Sequence, residues 1–206
     1  MKKSFRFAAG IVIPRPEGIH EAYSVKWRDA GHYVFTVNVS TERIPEVFAA
    51  LVAQIPEPGY LLLEVGTHKD EENKLRRKDT DPYHKDVHYL DGIGKKEALA
   101  VFREYESLLV NDGGVNFGFG SHGKMDEVFV GPYKILYVYA AEKESFETAL
   151  TDLGFSEEPI VRTVWDTFTP SSPGQRQVLT DAPVTIWDMI EKLKEKGLRF
   201  AERRED

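Results

Sequence analysis

The chain has 206 residues, of which 41% are hydrophobic and 30% charged, the balance of a folded protein with a substantial core. A net charge of −7, with no basic stripe beyond a short run at 74–78 hemmed in by acids, argues against a nucleic-acid backbone as partner. No cysteine is present, which excludes disulfides, thiolate zinc sites and a cysteine nucleophile, and no apolar run approaches the ~18 to 20 residues of a membrane span.

The first residues begin with positive charge like a secretion signal, but Arg6 interrupts the apolar part and Pro14-Arg15-Pro16 ends it. No small-residue cleavage site follows, so the expected location is the cytoplasm. Residues 4–13 read as a strand stopped by Pro14 and Pro16. Residues 23–28 and 32–40 then form a hairpin around Asp29-Ala30-Gly31, the second arm alternating at period two.

Thr41 stands where an N-cap would, and Pro45 falls in the first helical turn, where its missing N–H costs little. Ile44, Val47, Phe48, Leu51, Val52 and Ile55 repeat at three and four, the stripe of a helix facing a core. Pro56 and Pro58-Gly59 end it. Residues 60–66 follow as a strand whose unbroken Leu61-Leu62-Leu63 suggests burial on both faces.

A second helix is expected at 95–110, closed by Asn111-Asp112-Gly113-Gly114. Residues 115–120 and 128–140 read as an antiparallel pair, the second arm interrupted at Gly131-Pro132 by a bulge or edge. A third helix spans 143–153 and stops at Gly154, a strand spans 160–169, and 170–177 is a loop by composition. In the last helix Thr185 and Asp188 resemble a capping pair, and the tail AERRED is expected to fray. Trp27 and Trp187 are assigned to the core. The pattern at 32–66 is echoed at 128–169, so 1–91 and 112–206 could be related halves; without a flexible linker, one unit over 1–206 is expected.

The chemistry-bearing side chains concentrate in 60–91, with three of the six histidines. His84, Asp86 and His88 would share one face of a strand, and two histidines with a carboxylate form a ligand set for iron or zinc. His68 and Asp70, at the end of the Leu-rich strand, are the candidate additional ligands or base. Against this stands a plain solvated loop rich in His and Asp.

Gly118 to Gly123 fits GxGxxG letter for letter, but a strand rather than a helix is expected after it, so no pyrophosphate site is assigned. Asn116, Gly118 and Gly120 would share the strand face opposite Val115, Phe117 and Phe119. Bare glycines there serve close packing or, in the second reading, floor a groove. Tyr133, Tyr137 and Tyr139 alternate along one strand face, as packing or as a partner-binding row.

These readings converge on an α+β fold, a mostly antiparallel or mixed sheet with three to four helices packed mainly on one side. The expected function is that of an intracellular, non-catalytic binding or regulatory protein acting on another protein, the partner basic to match the negative charge. The alternative is a metal-dependent hydrolase or oxygenase using zinc or iron on His84, Asp86 and His88.

Overall fold

Period-two alternation along most of the chain builds an eight-stranded antiparallel sheet, seen in a computed structural model that describes residues 4–180 and 183–206. The elements in order are β1 (Ile11–Val12), β2 (Ala22–Arg28), β3 (His32–Asn38), α1 (Ile44–Val52), β4 (Gly59–Gly66), α2 (Lys69–Leu75) and β5 (His84–Ile93). Then come α3 (Lys95–Glu104), α4 (Glu106–Asn111), β6 (Val115–Ser121), β7 (Glu127–Val130), β8 (Leu136–Ala140) and α5 (Glu144–Asp152). The described chain ends with β9 (Gln175–Arg176), α6 (Ile186–Glu195) and β10 (Arg199–Glu205). The large sheet runs β10-β5-β4-β6-β7-β8-β3-β2, and β1 pairs with β9 in a separate two-stranded ribbon.

Register decides which side chains share a face. Leu61, Leu63 and Val65 of β4 lie opposite Phe119, Phe117 and Val115 of β6, and all six are buried. The helices pack on this face. Phe48 of α1, Phe102 of α3 and Phe117 of β6 meet at its centre, their ring centroids 5.0 to 5.4 Å apart. Burying each such ring stabilises the fold by roughly 1.5 to 3 kcal/mol, so this trio anchors helix layer to sheet.

On the opposite face Tyr60, Leu62 and Glu64 stand across from Gly120, Gly118 and Asn116. A smaller apolar cluster of Ile19, Ile135 and Val164, with Tyr133, Tyr137 and Phe168 against it, covers part of that face. Between β7 and β8 the chain makes a tight turn in which Tyr133 and Lys134 take φ of 58° and 60°, the left-handed region. Lys134 is buried, and its Nζ donates to Leu109 O at 2.8 Å and Val115 O at 2.7 Å. Those two bonds hold the end of α4 to the start of β6.

Several expectations are corrected. The strand expected at 4–13 is only Ile11–Val12, and 160–169 contains a short 3-10 turn, Val164–Thr167, closed by a reciprocal Thr163–Asp166 cap. Thr41 caps no helix; it starts a 3-10 turn, and its hydroxyl donates to Arg6 O. The helix expected at 95–110 breaks at Tyr105 into α3 and α4. Trp27 is 56% exposed, leaning on Tyr33 at the end of the β2–β3 hairpin. The charged tail is no frayed end: β10 completes the sheet beside β5. Within 60–91, α2 and β5 replace most of the expected loop.

Candidate functional site

A cleft of about 1130 Å³ opens at the end of the central strands, where Gly66 of β4 meets Gly114 before β6. Its floor is set by alternation. Glu64 interrupts an otherwise apolar strand and is buried; its Oε2 accepts from Lys85 Nζ at 3.1 Å and from Asn116 Nδ2 at 3.2 Å. Arg204 of β10 adds a longer contact, 3.6 Å to Glu64 Oε1.

One wall comes from α2 and the turn after it. His68 is the N-cap of α2, its Nδ1 accepting from Asp70 N–H at 3.3 Å, and its ring meets Trp187 edge-on. Glu72, one turn on, is buried, and its Oε1 lies 3.1 Å from His84 Nδ1. Arg76 ends the helix by donating to Asp79 O and Asp81 O, with its guanidinium 3.8 Å above the Tyr83 ring. Asp81 Oδ2 in turn accepts from the N–H groups of Arg77 and Lys78. The charge run is therefore wired to its own backbone, an arrangement typical of Asp in turns.

The other wall is the 174–180 segment. Gln177 N–H donates to Gly10 O, Gly113 N–H to Gln177 O, and Gly10 N–H to Asn111 O, joining three chain segments. A Cβ on Gly10 would lie 2.4 Å from Gly113 N, so only glycine permits this approach. Asp112 is buried, its oxygens accepting from Gly114 and Leu179 N–H groups. Arg176 pairs with Asp206, whose own N–H donates to Tyr83 O.

Beyond the cleft the same sheet face carries a row of rings and acids. Tyr60 Oη donates to Glu127 Oε2 at 2.7 Å, and its ring meets those of Tyr89 and His122. Burial pushes the Glu127 carboxyl above its ordinary value, partly offset by that hydrogen bond. Burial likewise raises Tyr60, Tyr89, Tyr137 and Tyr139, with Glu127 adding to the rise at Tyr60, Tyr89 and Tyr139.

His84, Asp86 and His88 do share a face of β5, as expected, but each is engaged separately. His84 pairs with Glu72. Asp86 accepts from Thr67 Oγ1 at 2.8 Å and from Arg203 through both oxygens. His88 is buried against Phe200, its Nδ1 without a hydrogen bond among the described residues, and burial pushes its pKa down, opposed by Asp86. His68 and Asp70 lie at the start of α2, Asp70 largely exposed, with 3.7 Å between Nδ1 and Oδ2. Among the described residues no three His, Asp or Glu side chains gather so as to hold a metal ion.

Asn116 lines the cleft, whereas Gly118 and Gly120 lie under their neighbours: an added Cβ would meet Val128 O at 2.7 Å and Tyr60 Oη at 2.4 Å. The GxGxxG letters run from β6 into the turn before β7, and a strand rather than a helix follows. Tyr137 and Tyr139 remain in a row on β8, while Tyr133 lies in the preceding turn.

Glu64, Glu72, Arg76 and Tyr83 line the cleft without belonging to the His-Asp set that the sequence points to. Glu64 carries a signal, an acid inside an apolar strand; Glu72 carries none, following two equally charged neighbours, Asp70 and Glu71. No helix of the described residues is long and apolar enough to cross a membrane. No family model matches the chain, and no curated protein or solved structure matches it.

Proposed function

We propose that the chain is a non-catalytic binding protein that acts on another protein inside the cell and engages it through the cleft. The observation that carries this reading is the cleft's anatomy, a polar buried floor under a rim with Tyr83 and Val178 61% and 55% exposed. Exposed tyrosine and apolar side chains beside a cleft are the groups that a protein partner covers most favourably. Its ionic side chains are joined mostly to one another, Lys85 to Glu64 and Arg176 to Asp206, which suits a preorganised recognition surface. The net charge of −7 favours a basic partner, drawn in by complementary fields.

A photo-crosslinking amino acid placed at Asn73, exposed on the cleft wall, tests this in cells. A discrete protein adduct is expected from position 73 and not from Thr151 on α5, across the molecule. Adducts from position 151 alone, or none from either position, would overturn the reading.

A further inference from the structure

β2 is one edge of the large sheet, at the opposite end from β10, and none of its residues lines the cleft. Its outward backbone is only partly used. At Tyr23 the N–H donates to Ser156 O at 3.1 Å and the carbonyl accepts from Glu158 N–H at 2.8 Å, a parallel bridge centred on Glu157. Pro159 follows, and the bridge goes no further. Backbone groups alternate in direction along a strand, so Val25 and Trp27 point theirs outward as Tyr23 does. Among the described residues the outward N–H and C=O groups of Val25 and Trp27 have no partner.

The side chains at this open stretch have a distinct chemistry on each face. On the face that carries the helices Val25 is half-buried and Trp27 is 56% exposed, its indole backed by Tyr33. Lys26 and Arg28 stand exposed on the other face, and neither is paired with a carboxylate among the described residues. A second copy of β2 fits poorly here. With Tyr23 already engaged, two-fold antiparallel pairing sets either Val25 against Trp27 or Trp27 against itself. The first places Lys26 opposite Lys26, the second Lys26 opposite Arg28. Like charges directly opposite destabilise a strand pair.

We infer that β2 is a strand-addition site for an extended segment of another protein, one that alternates acidic and apolar residues. The segment's backbone completes the ladder at Val25 and Trp27, its acids meet Lys26 and Arg28, and its apolar side chains cover Trp27. In such additions main-chain hydrogen bonds supply affinity and alternate side chains supply specificity. A lysine on an edge strand turns unmatched strands away, and an acid at the facing position converts that exclusion into selection. An exposed tryptophan beside the open backbone is the kind of side chain that partners cover. The site is distinct from the cleft and does not depend on what the cleft binds.

The test titrates the isotope-labelled protein with the end-blocked peptide Thr-Glu-Val-Glu-Val-Glu-Thr and follows the Val25 and Trp27 amides by NMR. Saturable shifts and slowed hydrogen exchange at both amides are expected. The same peptide N-methylated at its valines, which cannot complete the ladder, should not bind. Lys26→Glu with Arg28→Glu, both exposed, should weaken binding roughly tenfold or more, since two facing pairs turn from attractive to repulsive. That double variant should instead take the lysine counterpart, Thr-Lys-Val-Lys-Val-Lys-Thr. No saturable shift, equal binding of the N-methylated peptide, or equal binding of the lysine peptide to the unaltered protein would each overturn the assignment. So would concentration-dependent self-association that protects the Val25 and Trp27 amides, which would make a second copy the occupant. The peptide comparisons use the unaltered protein, so they decide even where the double variant fails to fold.

Discussion

Arg203 of β10 grips both oxygens of Asp86 on β5, Nε to Oδ1 at 2.6 Å and Nη2 to Oδ2 at 2.9 Å. The two residues are directly opposite in the strand register, so the pair fastens the last strand of the sheet to its neighbour. Burial pushes the Asp86 pKa up, but the hydrogen bonds from Arg203 and Thr67 and the Arg203 charge outweigh it, and the carboxyl sits below its ordinary value. A lowered folded pKa contributes stability that is present above the ordinary Asp value and lost as pH falls through the folded one. Arg203→Met should therefore destabilise the protein by about 2 kcal/mol at neutral pH, with the difference from the unaltered protein shrinking on acidification. Urea unfolding from neutral to acid pH checks this; a constant difference would disprove the coupling.

Tyr60 and Glu127 make the opposite electrostatic case. Burial raises the Glu127 pKa, so its contribution is full below the ordinary Glu value and lost as pH rises through the folded pKa. The Tyr60 hydroxyl holds that rise in check. Tyr60→Phe should move the Glu127 carboxyl further up, read directly by carbon NMR of the side chain during a pH titration. An unchanged midpoint would mean the 2.7 Å bond is not formed in solution.

Lys134 is buried, and burial pushes its pKa down to about 7, opposed by Asp112. The unfolded chain, with an ordinary lysine, binds more protons than the folded one between about pH 7 and 10. Stability from this residue should rise across that window and level off above it. Lys134→Met should flatten the rise while leaving Leu109 and Val115 carbonyls without their donor. Thermal unfolding at a series of pH values distinguishes the two curves.

Two glycines on neighbouring strands should respond in opposite ways. Gly118→Val drives a side chain against Val128 O, 2.7 Å from the Cβ position, and should cost about 1 to 3 kcal/mol. Gly66→Ala meets nothing within 4 Å and should be neutral or stabilising by a few tenths of a kcal/mol. Denaturant midpoints of the two variants settle it.

What the sequence conveyed well was periodic. The Ile44-to-Ile55 stripe gave α1, the Tyr60-to-Gly66 run gave β4, and Thr185 with Asp188 forms the reciprocal cap of α6. What it concealed was decided by contacts distant along the chain. At 84–88 a strand face and a solvated loop both stay open until the segment lies between β4 and β10, and AERRED looks frayed until Arg203 meets Asp86, 117 positions away. At 160–169, β-branched and aromatic residues suggested a strand, but the local Thr163–Asp166 cap won. The cleft was partly legible because the polar segment lines it. Its far wall, 174–180, carries no periodic signal, and its position follows from backbone bonds to Gly10 and Gly113.

An open sheet must also stop growing, and β10 shows how this one does so. Beyond it the backbone of the edge strand is free to template another chain, the geometry from which aggregates extend. Arg199, Glu202, Arg203, Arg204 and Glu205 crowd that border with both signs of charge, and only Phe200 and Ala201 interrupt them. An incoming strand would have to strip water from these groups before gaining a hydrogen bond. The side chains that fasten β10 inward thus also guard the sheet's outer margin, so neutralising them would trade a charged border for a sticky one.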